Sequence, residues 1–210
     1  MQPYFIPYMG YFRLFTHADI FIILDDVQFP RRGWVHRNRL KNNNNGISWL
    51  TLPLKKASQS TIINKIEFSD GAYDQFKKQL PRFKLFHNTA HDEHPFIRLL
   101  YRFDISFIEY LILQLNEICV QLRLPFNTIR SSEISIDKTL TGSERIISLV
   151  KELNGTTYIN ASGGAGLYDM ETFQKNGIKL MFLPEWNDCY LSILQYLLTE
   201  DLDEIRKKIR

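Results

Sequence analysis

Apolar and polar positions follow one another along this chain in blocks that predict an α/β protein. Five consecutive apolar residues, Ile20 to Leu24, come directly after Asp19 and are typical of a strand buried on both faces. In the second half, further apolar runs predict strands at about 127–131, 158–161 and 178–183, with amphipathic helices between them. Because strands that alternate with helices pair in parallel, we expect a mostly parallel sheet flanked by helices, which is a three-layer arrangement.

The middle of the chain, from about 72 to 122, has the periodicity of helices instead. One apolar stripe runs along residues 104–122, and a second helical segment at 73–86 contains Pro81, which should break or kink it. A length of 210 residues fits one domain. We therefore predict a single α/β domain over 1–210 with a helical insert at about 72–122.

The first fifteen residues are unusually aromatic. Pro3, Pro7 and Gly10 predict a loop, followed by a helix at about 10–16. The aromatic side chains either pack as an apolar layer beneath the sheet, or the loop at 2–10 lies over a ligand, and the sequence leaves both alternatives open. A helix that leads into a strand implies an earlier strand, so the chain is expected to begin within a strand or to lack one.

A basic segment follows the first predicted strand. It holds six potential cations and no acid, and they are Arg31, Arg32, His36, Arg37, Arg39 and Lys41. Arginine binds phosphate or carboxylate through paired N–H donors, so this segment predicts a site for a small anionic molecule. The four asparagines at 42–45 and Gly46 then predict a turn, and strands are expected at 48–54 and 62–68.

Three loops follow strands on the predicted carboxyl edge of the sheet, where α/β proteins bind their ligands. They begin at Asp25, at Ser131 and at Ala161. Glycines in the third loop, at Gly163 and Gly164, let a backbone approach a phosphate closely, although glycine-rich turns between strand and helix are also common without a ligand. Asp25 and Asp26 are either functional carboxylates or partners of nearby arginines. His36 is a candidate general base.

Charge and composition restrict the possible partners. The net charge is +3, from 26 basic and 23 acidic residues, which is too balanced to predict nucleic-acid binding, although the basic segment keeps that alternative open. The two cysteines, the absence of a secretion signal and the short apolar runs predict a cytoplasmic protein without a transmembrane segment. His87, His91 and His94 have helical metal-ligand spacing, but Pro95 follows at once and the segment is better interpreted as a polar connection, so we predict no metal site.

Several blocks of the sequence closely resemble one protein family. QPYFIPYMGYF, DDVQF, RRGW, WLTLPLKKASQ, TYINASGGAGLYD and the closing LSILQYLL are similar to the WbqC-like family over nearly the whole chain. The resemblance implies a bacterial protein of surface-polysaccharide biosynthesis, such as that of the O-antigen of lipopolysaccharide. It further implies a transferase that adds acyl or aminoacyl groups to a nucleotide-activated amino sugar. It implies no particular cofactor and no oligomeric state.

The same resemblance implies which residues form the site. By position the family pattern falls on Gln2, Pro3, Pro7, Gly10, Tyr11, Asp19, Asp25, Gln28, Trp34, Arg37, Asn38, Arg39, Gly163, Gly164 and Tyr168. We expect Arg37 and Arg39 to hold a diphosphate with help from the backbone at Ser162 to Gly164. Asp25 or His36 would accept a proton, and Trp34 or Tyr11 would stack on the sugar or base. The alternative is a non-catalytic module that binds a glycan precursor or a pathway enzyme.

Overall fold

The fold was analysed in a computed structural model that describes residues 1–87 and 94–210. The described residues form six strands, which are β1 (Phe21–Ile23), β2 (Arg37–Lys41), β3 (Ile47–Thr51), β4 (Thr128–Arg130), β5 (Thr157–Asn160) and β6 (Lys179–Phe182). They also form eight α-helices, which are α1 (Arg13–His17), α2 (Ala72–Lys77), α3 (Pro95–Leu99), α4 (Phe107–Gln121), α5 (Gly142–Glu152), α6 (Met170–Lys175), α7 (Leu194–Leu197) and α8 (Leu202–Ile209). The protein is therefore a mixed α/β protein, as the sequence predicts.

The strands pair two by two. β1 lies parallel to β4 with Phe21 opposite Thr128, and β5 lies parallel to β6 with Thr157 opposite Lys179. β2 and β3 form an antiparallel hairpin. Parallel pairing of the predicted strands is confirmed, whereas the three-layer arrangement stays a prediction.

Two parts of the strand prediction differ from the structure. Residues 62–68 were expected to form a strand, but Ile63–Lys65 is a 3₁₀ turn. Ile63 and Ile66 are both buried and lie three residues apart, which suits a helical turn better than a strand of period two. The basic segment, in contrast, contains a strand that was not predicted. In β2, Asn38 and Leu40 are buried and the cations alternate with them on the outer face. The alternation of buried and outward residues is hard to recognise because one of the buried residues is polar and the outward ones are charged.

The helical middle of the chain supplies much of the main core. α4 begins at a capping box, in which the Ser106 hydroxyl accepts from the Glu109 amide and the Glu109 carboxylate accepts from the Ser106 amide. Pro81 lies in a 3₁₀ turn after α2, so the proline ends the helix as expected. A second, smaller core lies between α5, α6 and the β5–β6 pair.

The aromatic residues of the N-terminus follow both alternatives that the sequence left open: some pack in the core and others border a cavity. Phe5, Phe12 and Tyr11, the last only 1% exposed, are part of the main core. Tyr4 and Tyr8 are half-buried and border an open cleft. The loop therefore both packs into the core and lies over a cavity.

The first residue of the chain takes part in a strand ladder. The Met1 nitrogen donates to the Ile22 carbonyl at 2.7 Å, and the Leu24 amide donates to the Met1 carbonyl at 2.9 Å. These two bonds flank Ile23, which is the pattern of parallel strands. The two bonds hold the backbone at Met1 alongside β1.

Candidate functional site

The cleft beyond the carboxyl end of β5 is the candidate site. Its volume is about 730 Å³, a size that fits a small-molecule ligand. Six aromatic side chains line it, and they are Tyr4, Tyr8, Trp34, Tyr158, Tyr168 and Tyr190. Its polar lining includes Gln2, Asn160, Ser162 and Glu185. An aromatic wall with a few polar groups is typical of a site for a molecule that has both flat apolar faces and hydroxyl or amide groups.

The N-terminal loop is held against the cleft by buried polar side chains. The Asn38 amide donates to the carbonyls of Phe5 at 3.0 Å and Ile6 at 2.7 Å, and the Ser192 hydroxyl also donates to the Ile6 carbonyl at 2.7 Å. Ile6 has a φ of 40°, a left-handed conformation that costs free energy for a β-branched residue. Because Asn38 and Ser192 fix this strained turn, they position Tyr4 and Tyr8 on either side of it.

Close packing explains two of the glycines near the cleft. A side chain at Gly10 would lie 2.6 Å from the Trp186 ring, and one at Gly164 would lie 2.6 Å from the Asn160 amide nitrogen. The Gly164 amide itself donates to the Ala161 carbonyl at 2.9 Å, so it is already bonded. Ser162 and Gly163 open the 3₁₀ turn, where the first amides have no partner within the turn. They are the amides of this loop that a ligand can use.

The arginines of β2 lie beside the cleft in a ladder with two tryptophans. The Arg39 guanidinium lies 4.9 Å from the centre of the Trp34 ring and 5.9 Å from that of Trp49. The Arg37 guanidinium lies 4.2 Å from Trp49 and donates to the Arg32 carbonyl at 2.7 Å. Trp34 lines the cleft and neither arginine does. Arg39 therefore contacts a cleft residue without lining the cleft itself, and Arg37, on Trp49, lies one step farther away.

Asp25 and Asp26 belong to a separate cluster, where β1 and β4 end. Asp25 is 0% exposed and accepts from Arg130 Nε at 3.0 Å, the Ser132 hydroxyl at 2.7 Å and the Ser132 amide at 2.9 Å. Asp26 accepts from Arg145 Nη2 at 2.6 Å and from Lys138 Nζ at 3.2 Å. Both carboxylates thus pair with an arginine, which is one of the alternatives that the sequence left open.

The electrostatics of this cluster keep both carboxylates ionised. Burial alone would raise the pKa of Asp25, but hydrogen bonds from Ser132, Asn64 and Arg130 outweigh it and leave that pKa below its ordinary value. Burial opposes ionisation of Asp26 in the same way, and bonds from Ser131 and Arg145 again lower its pKa overall. A carboxylate held in this state is a poor proton acceptor, and Asp25 does not line the cleft.

The remaining predicted residues are dispersed. His36 packs against Phe29 with ring centres 5.1 Å apart, and burial, followed by the neighbouring Arg37 charge, lowers its pKa to about 4. Tyr11 lies in the core, where its hydroxyl donates to the Gln2 carbonyl at 2.8 Å. Gln28 borders another groove and donates to the Gln59 carbonyl at 2.7 Å. Of the predicted set, the cleft brings together Gln2, Trp34, Ser162, Gly163, Gly164 and Tyr168.

Glu185 is a cleft residue that sequence reasoning missed. Among the described residues that line the cleft, it is the one with a carboxyl side chain. Burial, first of all, raises the pKa of Tyr8 to about 12, so that phenol stays neutral. Glu185 follows β6 by three residues, and Arg13 donates to the preceding Pro184 carbonyl at 2.8 Å. An acid shortly after a predicted strand was the available signal.

The histidine trio lies partly outside the described residues, because His91 falls between 87 and 94. Within the described ranges no group of three or more His, Cys, Asp or Glu side chains is arranged to hold a metal ion. In the same ranges no helix combines the length and the apolar character needed to cross a bilayer.

Fold and cleft together define the class: a mixed α/β protein with an aromatic, weakly charged cleft of small-molecule size at the carboxyl end of a parallel strand pair. The model of the WbqC-like protein family matches residues 2–195, and the chain belongs to that family. It is 24% identical over 186 residues to the uncharacterized protein Rv1507c of Mycobacterium tuberculosis, and the match covers 86% of this chain and 78% of that protein. No solved structure matches the chain.

Proposed function

We propose that this protein is a cytoplasmic transferase of surface-polysaccharide biosynthesis that acts on a nucleotide-activated amino sugar. The observation that carries the proposal is the six-aromatic cleft, whose ring faces suit a sugar ring and a nucleobase. The polar groups at Gln2, Asn160 and Ser162 supply hydrogen bonds for sugar hydroxyls. Membership of the WbqC-like family is in keeping with this role.

Charge around the cleft supports a fixed orientation of the substrate. Arg39 contacts Trp34, which lines the cleft, and we assign its guanidinium to a diphosphate outside the aromatic part of the cleft, with the amides of Ser162 and Gly163 assisting. Arg37 supports this arrangement indirectly, because it packs on Trp49, which in turn packs on Trp34 with ring centres 5.1 Å apart. In the proposed pose the sugar enters the aromatic part of the cleft and the phosphates stay at its edge.

Glu185 is the group that we assign to proton transfer. In the proposed reaction the sugar amine attacks the carbonyl of an activated acyl or aminoacyl donor, a C–N bond forms and the bond to the leaving group breaks. The amine proton passes to Glu185 and then to the leaving group, so the carboxylate is regenerated. Asp25 is bonded within its own cluster, and a His36 of pKa about 4 is a weak base, so we give neither of them this step.

A second candidate is a binding module without turnover. It is favoured by the position of Asp25 and His36 outside the cleft, which leaves one exposed carboxylate as the candidate base. The two candidates share the ligand and differ in what Glu185 does.

The test is a thermal-shift screen with nucleotide sugars, acyl-coenzyme A thioesters and ATP, followed by calorimetry on any hit. We expect a nucleotide amino sugar to raise the melting temperature and Trp34→Ala to weaken its binding about tenfold or more, as loss of a stacking platform does. Tyr73→Ala is the matched control, because Tyr73 is an exposed aromatic residue that does not line the cleft. Equal losses in the two variants, or no hit among the nucleotide sugars, would contradict the proposal.

Glu185→Gln separates the two candidates. For a transferase we expect this variant to bind the nucleotide sugar normally and to lose acyl transfer to its amine, followed by mass spectrometry of the product. For a binding module no acyl donor gives a product with either form of the protein.

A further inference from the structure

A polar groove adjoins the cleft, and the proposed function does not use it. Its volume is about 570 Å³, which is within the range of small-molecule sites. The segment 27–31, Gln59 and Gln2 line it, so it is the groove that Gln28 borders. Three of the lining side chains are glutamines and one is an arginine. The groove therefore offers hydrogen bonds and a positive charge to a ligand.

Hydrogen bonds fix one wall of this groove and leave polar groups free. The Gln28 side-chain amide donates to the Gln59 carbonyl at 2.7 Å, and Arg31 Nη2 donates to the Ala57 carbonyl at 2.9 Å. Phe29 lies between these two donors in the chain and is buried. Within the described ranges, the bond to Ala57 is the one hydrogen bond of the Arg31 side chain. A guanidinium has five N–H groups, so most of those of Arg31 remain available to a ligand.

Charge distinguishes the groove from the cleft. Among the described residues that line the groove, Arg31 carries the one charge and no carboxylate is present. The acids that precede the segment, Asp25 and Asp26, are already paired with other arginines. The cleft has the opposite character, because Glu185 lines it and, in the described part of the chain, no lysine or arginine does. A guanidinium beside side-chain amides is suited to a phosphate, so the groove favours an anionic ligand and the cleft does not.

Gln2 connects the two cavities, since it lines both of them. Its backbone is fixed by Tyr11, whose hydroxyl donates to the Gln2 carbonyl at 2.8 Å and whose ring is buried in the core. The Gln2 side-chain amide makes no hydrogen bond to another described residue. Ligands in the groove and in the cleft would therefore meet at this side chain, as a reaction between two bound substrates requires.

We propose that the groove binds the phosphorylated carrier of the activated donor, with the acyl or aminoacyl end directed past Gln2 into the cleft. Arg31 pairs with a phosphate of the carrier, and the side-chain amides of Gln2, Gln28 and Gln59 bond to its polar groups. The direction of the acyl end rests on the proposed function, whereas the binding of a phosphorylated small molecule does not. Coenzyme A thioesters and acyl adenylates share this chemistry, because both carry a phosphorylated adenosine.

Calorimetry on the full chain tests the groove with two probes, coenzyme A and AMP. We expect binding, and the tighter of the two probes identifies the carrier. Arg31→Ala should weaken that probe about tenfold or more, as loss of a charge-assisted hydrogen bond does. Arg32→Ala is the matched control, because Arg32 is the adjacent exposed arginine and does not line the groove. Equal losses in the two variants, or no binding of either probe, would overturn the proposal.

A carboxylate placed in the groove gives an independent readout. Gln59 is exposed and its side chain makes no hydrogen bond to a described residue, so Gln59→Glu adds a charge without removing such a bond. This variant should weaken the same probe about fivefold or more through repulsion of the phosphate. Gln174→Glu adds the same charge at an exposed position on α6, outside the groove, and should leave the affinity unchanged. Unchanged affinity in Gln59→Glu as well would count against the site.

Binding of the nucleotide sugar separates this proposal from the proposed function. Arg31→Ala should bind the nucleotide sugar normally, and Trp34→Ala should bind the carrier probe normally. If Arg31→Ala weakens the nucleotide sugar instead, the phosphates of that ligand occupy the groove, so the donor site is refuted while the proposed function stands. If a probe binds through Arg31 and no nucleotide sugar binds, the proposed function fails and the groove stands as a site for a phosphorylated small molecule.

Discussion

Two strand ends in this protein carry polar residues and use them in opposite ways. Where β1 and β4 end, Asp25 and Asp26 are enclosed by their own arginines, serines and lysine. Where β5 and β6 end, the chain places aromatic rings around an open cleft and leaves its polar groups accessible. A charged strand end is therefore not by itself a binding site. The two strand ends differ in whether neighbouring side chains already form hydrogen bonds and ion pairs with the polar groups there.

The largest expected effect comes from removal of the buried Asp25 carboxylate. In Asp25→Ala, Arg130 and Ser132 lose their shared acceptor, so we expect the free energy of unfolding to fall by about 3 kcal/mol. Urea unfolding followed by circular dichroism measures it. Asp104→Ala is the control, since Asp104 forms an exposed pair with Arg102 and its loss should change little. Equal effects would mean that the cluster is no more structural than a surface pair.

A second variant tests how the cleft is held. Asn38 is 3% exposed and holds two carbonyls of the N-terminal loop, so Asn38→Ala should lower the free energy of unfolding by about 2 kcal/mol. Asn44→Ala, at an exposed position, should be neutral by the same measurement. If Asn38→Ala melts like the unaltered protein, the loop does not depend on this side chain and the positioning of Tyr4 and Tyr8 needs another cause.

Acid titration sharpens the comparison further. Asp25 and Asp26 have a pKa below the ordinary value when folded and about 3.9 when unfolded, so the unfolded chain takes up protons first as the pH falls. Their contribution to stability is fully present above about pH 4 and is lost as the pH falls through the lowered folded values. In the double variant Asp25→Asn, Asp26→Asn, the free energy of unfolding should fall less as the pH is lowered below about pH 4. Asp70→Asn, at an exposed position, should leave this fall unchanged. A curve that keeps its slope in the double variant would place the acid-sensitive groups elsewhere.

The smallest expected effect concerns the edge of the cleft. Arg39 borders Trp34 and Arg37 lies one step away, so Arg39→Ala should weaken nucleotide-sugar binding by about fivefold, a loss of about 1 kcal/mol, and Arg37→Ala by less. Calorimetry with the ligand found in the screen measures both. The reverse order would move the phosphate toward Trp49 and away from the cleft.

Much of the fold could be predicted because the parallel strands and α4 depend on local periodicity. The apolar run before Asp25 and the stripe along α4 are visible in the sequence without knowledge of their partners. β2 could not be recognised in this way, because its outward cations conceal a buried Asn38 whose acceptors lie more than thirty residues away.

The site was harder to predict for a related reason. The glycine turn was expected from its residue types and Trp34 from the family resemblance, and both line the cleft. Glu185 and Tyr190 carry no recognisable motif and reach the cleft only because the segment after β6 folds back toward the N-terminal loop. Asp25 and His36 have reactive side chains, but burial and partners decide their chemistry, and neither is a local property of the sequence.

Met1, Tyr158 and Asn160 each line both the cleft and a second cavity of about 310 Å³ beside β1 and β5, so the two cavities share a wall. A change in this shared wall alters both cavities at once, because the same side chains bound each of them. The affinity of the cleft for its ligand is therefore expected to respond to any change in the second cavity that displaces Met1, Tyr158 or Asn160.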